Sequence, residues 1–473
     1  MEQTETITER DPLTGRASAG SVAGMQWRLS PEGFICHPDG THYTTEELRT
    51  LGNGIDRLGG RPADEVSLDD IDLGQGATWL HPDLDGLLDR LRRERPVSRQ
   101  RGMPFLAGTS DLDWWAVTRH EDIRFVSRNP ELFASGRGGT NIADIPDELA
   151  EFLGSIINMD APRHTKLRRL ISAGFTPRQV AGLEEAITRR TAGIIDAIAE
   201  RGSCDVVTDI AAPLPLQVIC DMMGIPAEHE QRMFELSNVV LGFGDPEYVT
   251  SVGDLVGAGM ELFQFGLQLA TDRQAEPRDD IATALVHAEV DGERLTPAEL
   301  GSFFVLLVVA GNETTRTAIS HGLLALSQFP HQREKWLADL DGVTPTAVEE
   351  IVRWATPVMH FRRTATQDVE LGGASISEGD RVVVLYTSGN RDGDVFTEPG
   401  QFDVTRSPND HVGFGAGGPH FCLGANLARR EIAVMFNQLL TRLPDITVTG
   451  EPDRLRSAFI NGIKRMPATF TPR

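Results

Sequence analysis

The sequence predicts a mainly α protein with small β-sheets. Three observations carry this: helical periodicity recurs along most of the chain from Thr78 onward, strand-like runs are few and short, and one apolar segment can form a helix that crosses a whole domain. The 473 residues suffice for one large core with an extension.

Residues 1–75 differ from the remainder. They hold 14 Asp/Glu against 6 Lys/Arg and are rich in Gly, Asp and Thr. Thr44-Thr45-Glu46-Glu47 has the form of a capping box, so the segment reads as an acidic extension with short helices, or as a disordered leader. Beyond it, Leu84 to Arg95 is expected as an amphipathic helix, Trp114 to Thr118 as a strand and His120 to Ser127 as a short helix. Helices are also expected over Arg163 to Ala173, Arg178 to Glu200, Thr208 to Met223 and Glu228 to Leu241. Strands are expected at Thr364 to Leu371 and Arg381 to Tyr386. Thr296-Pro297-Ala298-Glu299 places Thr at an N-cap, Pro at N1 and Glu at N3. The helix it starts can run to Gln328, roughly 50 Å. Its middle, Phe303 to Ala310, is apolar all round and should be buried.

Composition excludes several functions. A net charge of −24 with no long basic block argues against nucleic-acid binding through the overall field. Cys36, Cys204, Cys220 and Cys422 are scattered without a C-x-x-C pair, which argues against a zinc site or a disulfide framework; the first three read as buried free thiols. The acidic N-terminus lacks an apolar stretch, and Phe303 to Gly311 falls short of a membrane span, so a soluble, cytoplasmic protein is expected.

The most informative stretch is Phe414-Gly-Ala-Gly-Gly-Pro-His-Phe-Cys422-Leu-Gly424, followed by the expected helix Ala425 to Leu440. Its glycines permit tight turns that bring backbone close to a planar ligand. Cys422 precedes a helix N-terminus, where free N–H groups and the dipole favour a thiolate. No G-x-x-x-x-G-K-[ST] pattern supports a phosphate loop. A thiol nucleophile partnered by His420 stays open on the residues alone. With Phe, Gly, His, Cys and Gly in this order, the loop resembles that of the cytochromes P450, with one residue more between Phe414 and Cys422 than the commonest bacterial form.

That resemblance implies a cytochrome P450 fold holding haem b between the long central helix and the cysteine-loop helix, with Cys422 as the iron ligand. Phe414 and Gly424 would belong to the cofactor-binding loop. Ala310-Gly311-Asn312-Glu313-Thr314-Thr315 resembles the family's oxygen-activation motif: Ala310 and Gly311 would leave room for O2, Thr314 would hold water for proton delivery, and Glu313 would relay protons. A polar, Gly-containing patch in mid-helix also invites a local kink. Glu350-Ile351-Val352-Arg353 puts an acid and a base on one helix face, and by resemblance Arg406 joins them in a scaffold network. His164 and Arg168 share a face of one helix. With Arg363 and His420, they would offset the two negative charges of a buried haem.

The resemblance covers roughly residues 76–473, which would form the catalytic domain. It implies a monooxygenase that takes O2 as co-substrate and electrons from NAD(P)H through a ferredoxin and ferredoxin reductase, since no flavin or ferredoxin module is visible. Arg429 and Arg430 are the expected local positive surface for that partner. Val305, Val309, Val358, Met359 and Ile460 are the expected pocket contacts. Several stretches are similar to actinobacterial members that hydroxylate sterol side chains, terpenoids or methyl-branched lipids. A peroxide-driven relative, disfavoured by Glu313-Thr314, and a non-catalytic haem binder are the competing readings.

Overall fold

A segment that is apolar on every side has to be covered, and the molecule is built around helix Pro297–Gln328. Thr296 caps it in a reciprocal box with Glu299, and Pro297 takes the first turn. Helices Pro213–Met223, Glu230–Leu241, Val252–Ala275, Leu340–Ala355 and Ala425–Arg442 all pack against it. This computed structural model describes residues 58, 60–105, 111–144, 155–172, 183–249, 251–290 and 292–473. It also describes the backbone of an antiparallel three-stranded sheet, Ala19–Val22, Met25–Leu29 and Ile35–Cys36. The Thr44–Glu47 capping box lies outside the described residues.

The largest sheet has the order Val97–Arg101, Asp113–Val117, Arg381–Leu385, His360–Ala365, Phe133–Ala134. Its central pair, Val382 beside Trp115 through Val384 beside Val117, is parallel, and the other neighbours are antiparallel. Leu58, Ala63, Val66, Ile71 and Leu73 pack with Leu87, Leu91, Trp114 and Met359 on one side of this sheet, so the packed unit begins before residue 76.

Several elements differ from expectation for local reasons. The strand expected over 364–371 is two strands, His360–Ala365 and Val369–Leu371. Thr366 turns away to bond the Leu132 carbonyl, and the second strand pairs in its own hairpin with Ala374–Ile376. The helix expected from Thr208 opens with a wide turn over Val206–Ala211, capped by the Asp205 carboxylate on the Val207 and Thr208 N–H groups, and becomes regular at Pro213. Helix Glu184–Asp196 lies within the one expected over 178–200, and the chain turns over 197–200. The long helix Val252–Ala275, started by a Ser251/Asp254 capping box, was not expected.

Cys204 and Cys220 are buried, and burial pushes both thiols up to about 12, as suits inert core residues. Among the described residues, Val206–Met223 is apolar and long enough to cross a membrane, but most of it is buried in the core. One surface feature ties distant parts of the chain together. In the turn between Glu230–Leu241 and Val252–Ala275, Asp245 and Glu247 meet Lys464 at 3.1 and 2.7 Å, and Glu247 also pairs with Arg465. Asp453 completes the network at 3.6 Å from Lys464.

Candidate active site

The cysteine loop folds as its glycines require. The Cys422 N–H donates to the Phe414 carbonyl at 2.9 Å, closing the loop on itself, and the Gly415 N–H donates to Val412. Gly418 has φ +78°, and a Cβ there would lie 2.1 Å from the Ser127 carbonyl oxygen, so only glycine lets the loop pass this close to helix His120–Arg128. Gly424, by contrast, has φ −84° and caps helix Ala425–Arg442; it borders the cavity, where a side chain would take up space.

A cavity of about 230 Å³ opens over this loop. Cys422 has accessible surface although it lies deep in the protein, because that surface belongs to the cavity. Burial raises the free thiol, while the Gly424 N–H and the charges of Arg168 and Arg429 pull it the other way. From the opposite wall, the long helix presents Phe303, Leu306, Leu307, Ala310, Gly311 and Thr314. This is one helical stripe, so Val305 and Val309 point away into the core. Of the other expected contacts, Val358 lines the cavity. Met359 packs under the sheet with Leu385 and Ala458, and Ile460 bridges the Val358 backbone without lining the cavity. Ile156, Ile157, Ile219 and Phe361 add wall from the segments around 133–157, 208–241 and 356–361, and Tyr386 adds wall that no sequence motif marks.

The mid-helix patch is a continuous helix rather than a break. The Thr314 hydroxyl donates to the Ala310 carbonyl at 2.8 Å, and Gly311 is needed because a Cβ there would meet Ile219 at 2.7 Å. Glu313 is buried and faces away from the cavity, in an ion pair with Arg316.

Four basic side chains converge at one edge. The His164 and His420 rings are 4.2 Å apart, Arg168 donates to the Phe421 carbonyl, and Arg363 is buried beside them. Both histidines leave Nε2 without a partner. Among the described residues, no carboxylate pairs with any of the four. Asp160, whose charge acts on His164 and Arg363, is engaged by the Ser135 and Gly136 N–H groups. Burial together with Arg363, His164 and Arg168 pushes His420 down to about 3. Buried donors and positive charge without a counter-ion fit an anionic ligand. A flat dianion with a soft metal-binding thiol below it matches haem, so the residues present fit that cofactor.

The acid–base pair of Leu340–Ala355 is closed. Arg353 grips Glu350 through two bonds of 2.7 and 2.8 Å, both side chains are 0% exposed, and Arg353 also donates to the Asn390, Pro399 and Gln401 carbonyls. Glu350 further accepts from the Asp403 N–H, Arg406 at 3.0 Å and Asn409. On the outer face of the cysteine loop, Arg429 and Arg430 are not free cations. Glu349 holds Arg429 at 2.6 and 2.9 Å, Glu184 holds Arg430, and Arg429 lies over the Phe414 ring. A depression beside them is lined by Arg124 and Arg128, which make no ion pair among the described residues, together with Asp410 and the Glu349–Arg429 pair.

The family model described as cytochrome P450 matches residues 116–457. The chain belongs to the cytochrome P450 family. A methyl-branched lipid omega-hydroxylase of Mycobacterium tuberculosis is 48% identical over 420 residues, covering 88% of this chain and 98% of that protein. A steroid C26-monooxygenase of Rhodococcus jostii is 45% identical over 384 residues, covering 80% of each. Among solved structures, a Mycobacterium marinum cytochrome P450 in complex with pseudoionone superposes with a TM-score of 0.81 at 46% identity, covering 86% of this chain and 99% of that one. The protein is therefore a cytochrome P450 monooxygenase of mainly helical fold with small sheets, and the family's cofactor is haem.

Proposed function

We propose that this cytochrome P450 hydroxylates the hydrocarbon part of a chain-bearing apolar molecule, a methyl-branched lipid, sterol side chain or terpenoid, in the cytoplasm. The observation that supports it most is the cavity wall. Among Phe303, Leu306, Leu307, Val358 and Phe361, the polar groups away from the cysteine loop and the basic edge are few: Thr314, Thr315, Tyr386 and Glu431. The names of the relatives point to the same substrate class.

Haem bound here would supply oxygen activation and C–H insertion. Cys422 would ligate its iron, losing its thiol proton on ligation. His164, Arg168, Arg363 and His420 would hold its carboxylates, and Gly424 and Phe414 would border it. The Thr314 hydroxyl, tethered to the Ala310 carbonyl, positions water at the reacting face, while the apolar stripe excludes bulk solvent and orients the substrate. That hydroxyl at the cavity wall favours the O2-dependent reading over a peroxide-driven or non-catalytic one.

Electrons would come from NAD(P)H through a ferredoxin reductase and a ferredoxin docked over the cysteine loop. With Arg429 and Arg430 neutralised, the docking charge lies at Arg124 and Arg128, flanking Phe125, which is 40% exposed. The deciding experiment supplies haem-loaded protein with ferredoxin, reductase, NADPH and a panel of branched fatty acids, sterols and terpenoids. Hydroxylated product from at least one class, absent in Cys422→Ala, is expected. Binding shifts without oxygenated product from any class would overturn the substrate class proposed here.

A further inference from the structure

After strand Phe133–Ala134, residues 135–144 run without helix or strand, yet Ser135, Thr140 and Ile142 are buried. Buried backbone of irregular course must find its hydrogen-bond partners outside secondary structure. Arg362 supplies them here. Its guanidinium donates to the carbonyls of Arg137 and Asn141, each at 3.4 Å, and of Ile142 at 3.2 Å, and its backbone N–H donates to the Thr140 carbonyl at 2.9 Å. Asp144 meets the same guanidinium at 2.7 Å, and Arg362 is 2% exposed. Gly138 has φ +72°, and a Cβ there would lie 2.3 Å from Asp144 Oδ1 and 2.5 Å from Arg362 Nη2, so only glycine lets the loop wrap this pair.

Arg362 does not face the cavity. Side chains alternate along strand His360–Ala365: Phe361 lines the cavity and Arg363 joins its basic edge, while Arg362 and Thr364 bond each other on the opposite face. The loop carries the contact across. Thr140 donates through both its N–H and its hydroxyl to the Asn158 side-chain oxygen, at 3.1 and 2.9 Å, and the Ser135 and Gly136 N–H groups hold Asp160. Ile156 and Ile157, next to Asn158, stand in the cavity wall. Both are β-branched and stiff at χ1, so the width they leave is set by where their backbone is held.

We propose that Arg362 is a positioning residue for substrate selection. Its grip on residues 137–144, passed on through Thr140 and Asn158, sets how wide a molecule fits beside Ile156 and Ile157. This assignment rests on the reading of the cavity as the substrate site. A lysine at 362 would keep a charge for Asp144 but lose the fork that spans several carbonyls, so the wall depends on the shape of the Arg362 side chain as well as its charge.

Azoles that ligate haem iron probe this width whatever the natural substrate is. Dissociation constants of phenylimidazole and of the much bulkier clotrimazole are read from the Soret shift of the haem-loaded wild type, Arg362→Gln and Arg362→Lys. The preference between the two azoles should move about tenfold toward clotrimazole in both variants. In protein already carrying Ile156→Ala and Ile157→Ala, adding Arg362→Gln should move it no further, because the side chains through which Arg362 acts are gone. If Arg362→Gln does not load haem, Asn158→Ala, which cuts the link beyond the loop, is measured in its place and should show the same change. A preference equal to wild type, a preference restored by Arg362→Lys, or a change that persists in full in the Ile156→Ala, Ile157→Ala background would overturn the proposal. Product formation by the wild type tests the substrate reading separately, so failure of one is distinguishable from failure of the other.

Discussion

The protein buries two clusters of opposite design. Around Glu350, every charge has its counter-charge and every donor an acceptor: Arg353, Arg406, Asn409 and the Asp403 N–H close on one carboxylate. Around Arg363, the cations have no counter-charge: Arg168 and Arg363 each donate to a backbone carbonyl, no carboxylate among the described residues pairs with them, and His164 and His420 keep a bare ring nitrogen each. Each cluster was expected in part from a helix spacing, Glu350 with Arg353 and His164 with Arg168, and for the rest from the family resemblance. Their difference teaches that a self-satisfied cluster serves the scaffold, while an unsatisfied one of a single sign is half of a site whose other half is a ligand.

The sharpest way to break this comparison is to open the closed cluster. Arg353→Ala leaves the Glu350 carboxylate with one fewer cation in a fully buried place and should cost about 4 kcal/mol, enough to unfold much of the protein even before haem is added. Thermal unfolding of the haem-free variant checks this. A melting temperature equal to wild type would show that the pair does not hold the scaffold.

Next comes the buried acid on the cavity side. Glu431 has a folded-state value of about 8 against an ordinary value of 4.5, so its contribution to stability is fully present below 4.5 and is lost as pH rises through 8. Glu431→Gln removes this loss. The haem-free variant should match the wild type in acid and exceed it by a few kcal/mol above pH 8, as read by urea unfolding across pH. Parallel pH curves for the two proteins would contradict a neutral Glu431.

Opening the other cluster further should spare the fold. Arg363→Ala removes one donor to an anion and should weaken haem retention by about 2 kcal/mol while leaving the haem-free melting temperature nearly unchanged. Haem transfer to apomyoglobin measures the first effect and calorimetry the second. The smallest effect belongs to the surface. Arg124→Glu with Arg128→Glu should slow ferredoxin-supported reduction about tenfold at low salt, whereas Arg430→Ala should leave it near the wild-type rate, because Glu184 already neutralises that side chain. Stopped-flow reduction under carbon monoxide distinguishes the two.

What the sequence made legible is what is local. The Thr296–Glu299 box, the Glu350–Arg353 spacing and the glycines around Cys422 each involve residues within a turn or two of one another, and the structure places them as that spacing requires. The face of a helix that is apolar all round carries no such mark. Val305 and Val309 are as hydrophobic as Leu306 and Leu307, and only packing against Ile219 and the cysteine helix decides which pair meets the cavity. Charge at the surface was misleading for the opposite reason. Arg429 and Arg430 stand together in sequence, but Glu349 and Glu184, which neutralise them, come from other helices. Glu431 did leave a trace, an acid within the apolar stripe of Leu427, Ile432 and Met435, but a stripe interrupted by one Glu is also what a helix emerging into solvent looks like.

The network at Lys464 has a bearing on how this enzyme works in different media. It fastens the turn between helices Glu230–Leu241 and Val252–Ala275 to a hairpin at the far end of the chain. The fastening is partly buried at Lys464 and Asp245 and open to water at Glu247, Arg465 and Asp453. Salt screens the open half and leaves the buried half nearly intact, since the Debye length shrinks from about 10 Å at 0.1 M to about 3 Å at 1 M. Ionic strength thus sets how firmly that turn is held, and its backbone amides should exchange with solvent faster in concentrated salt.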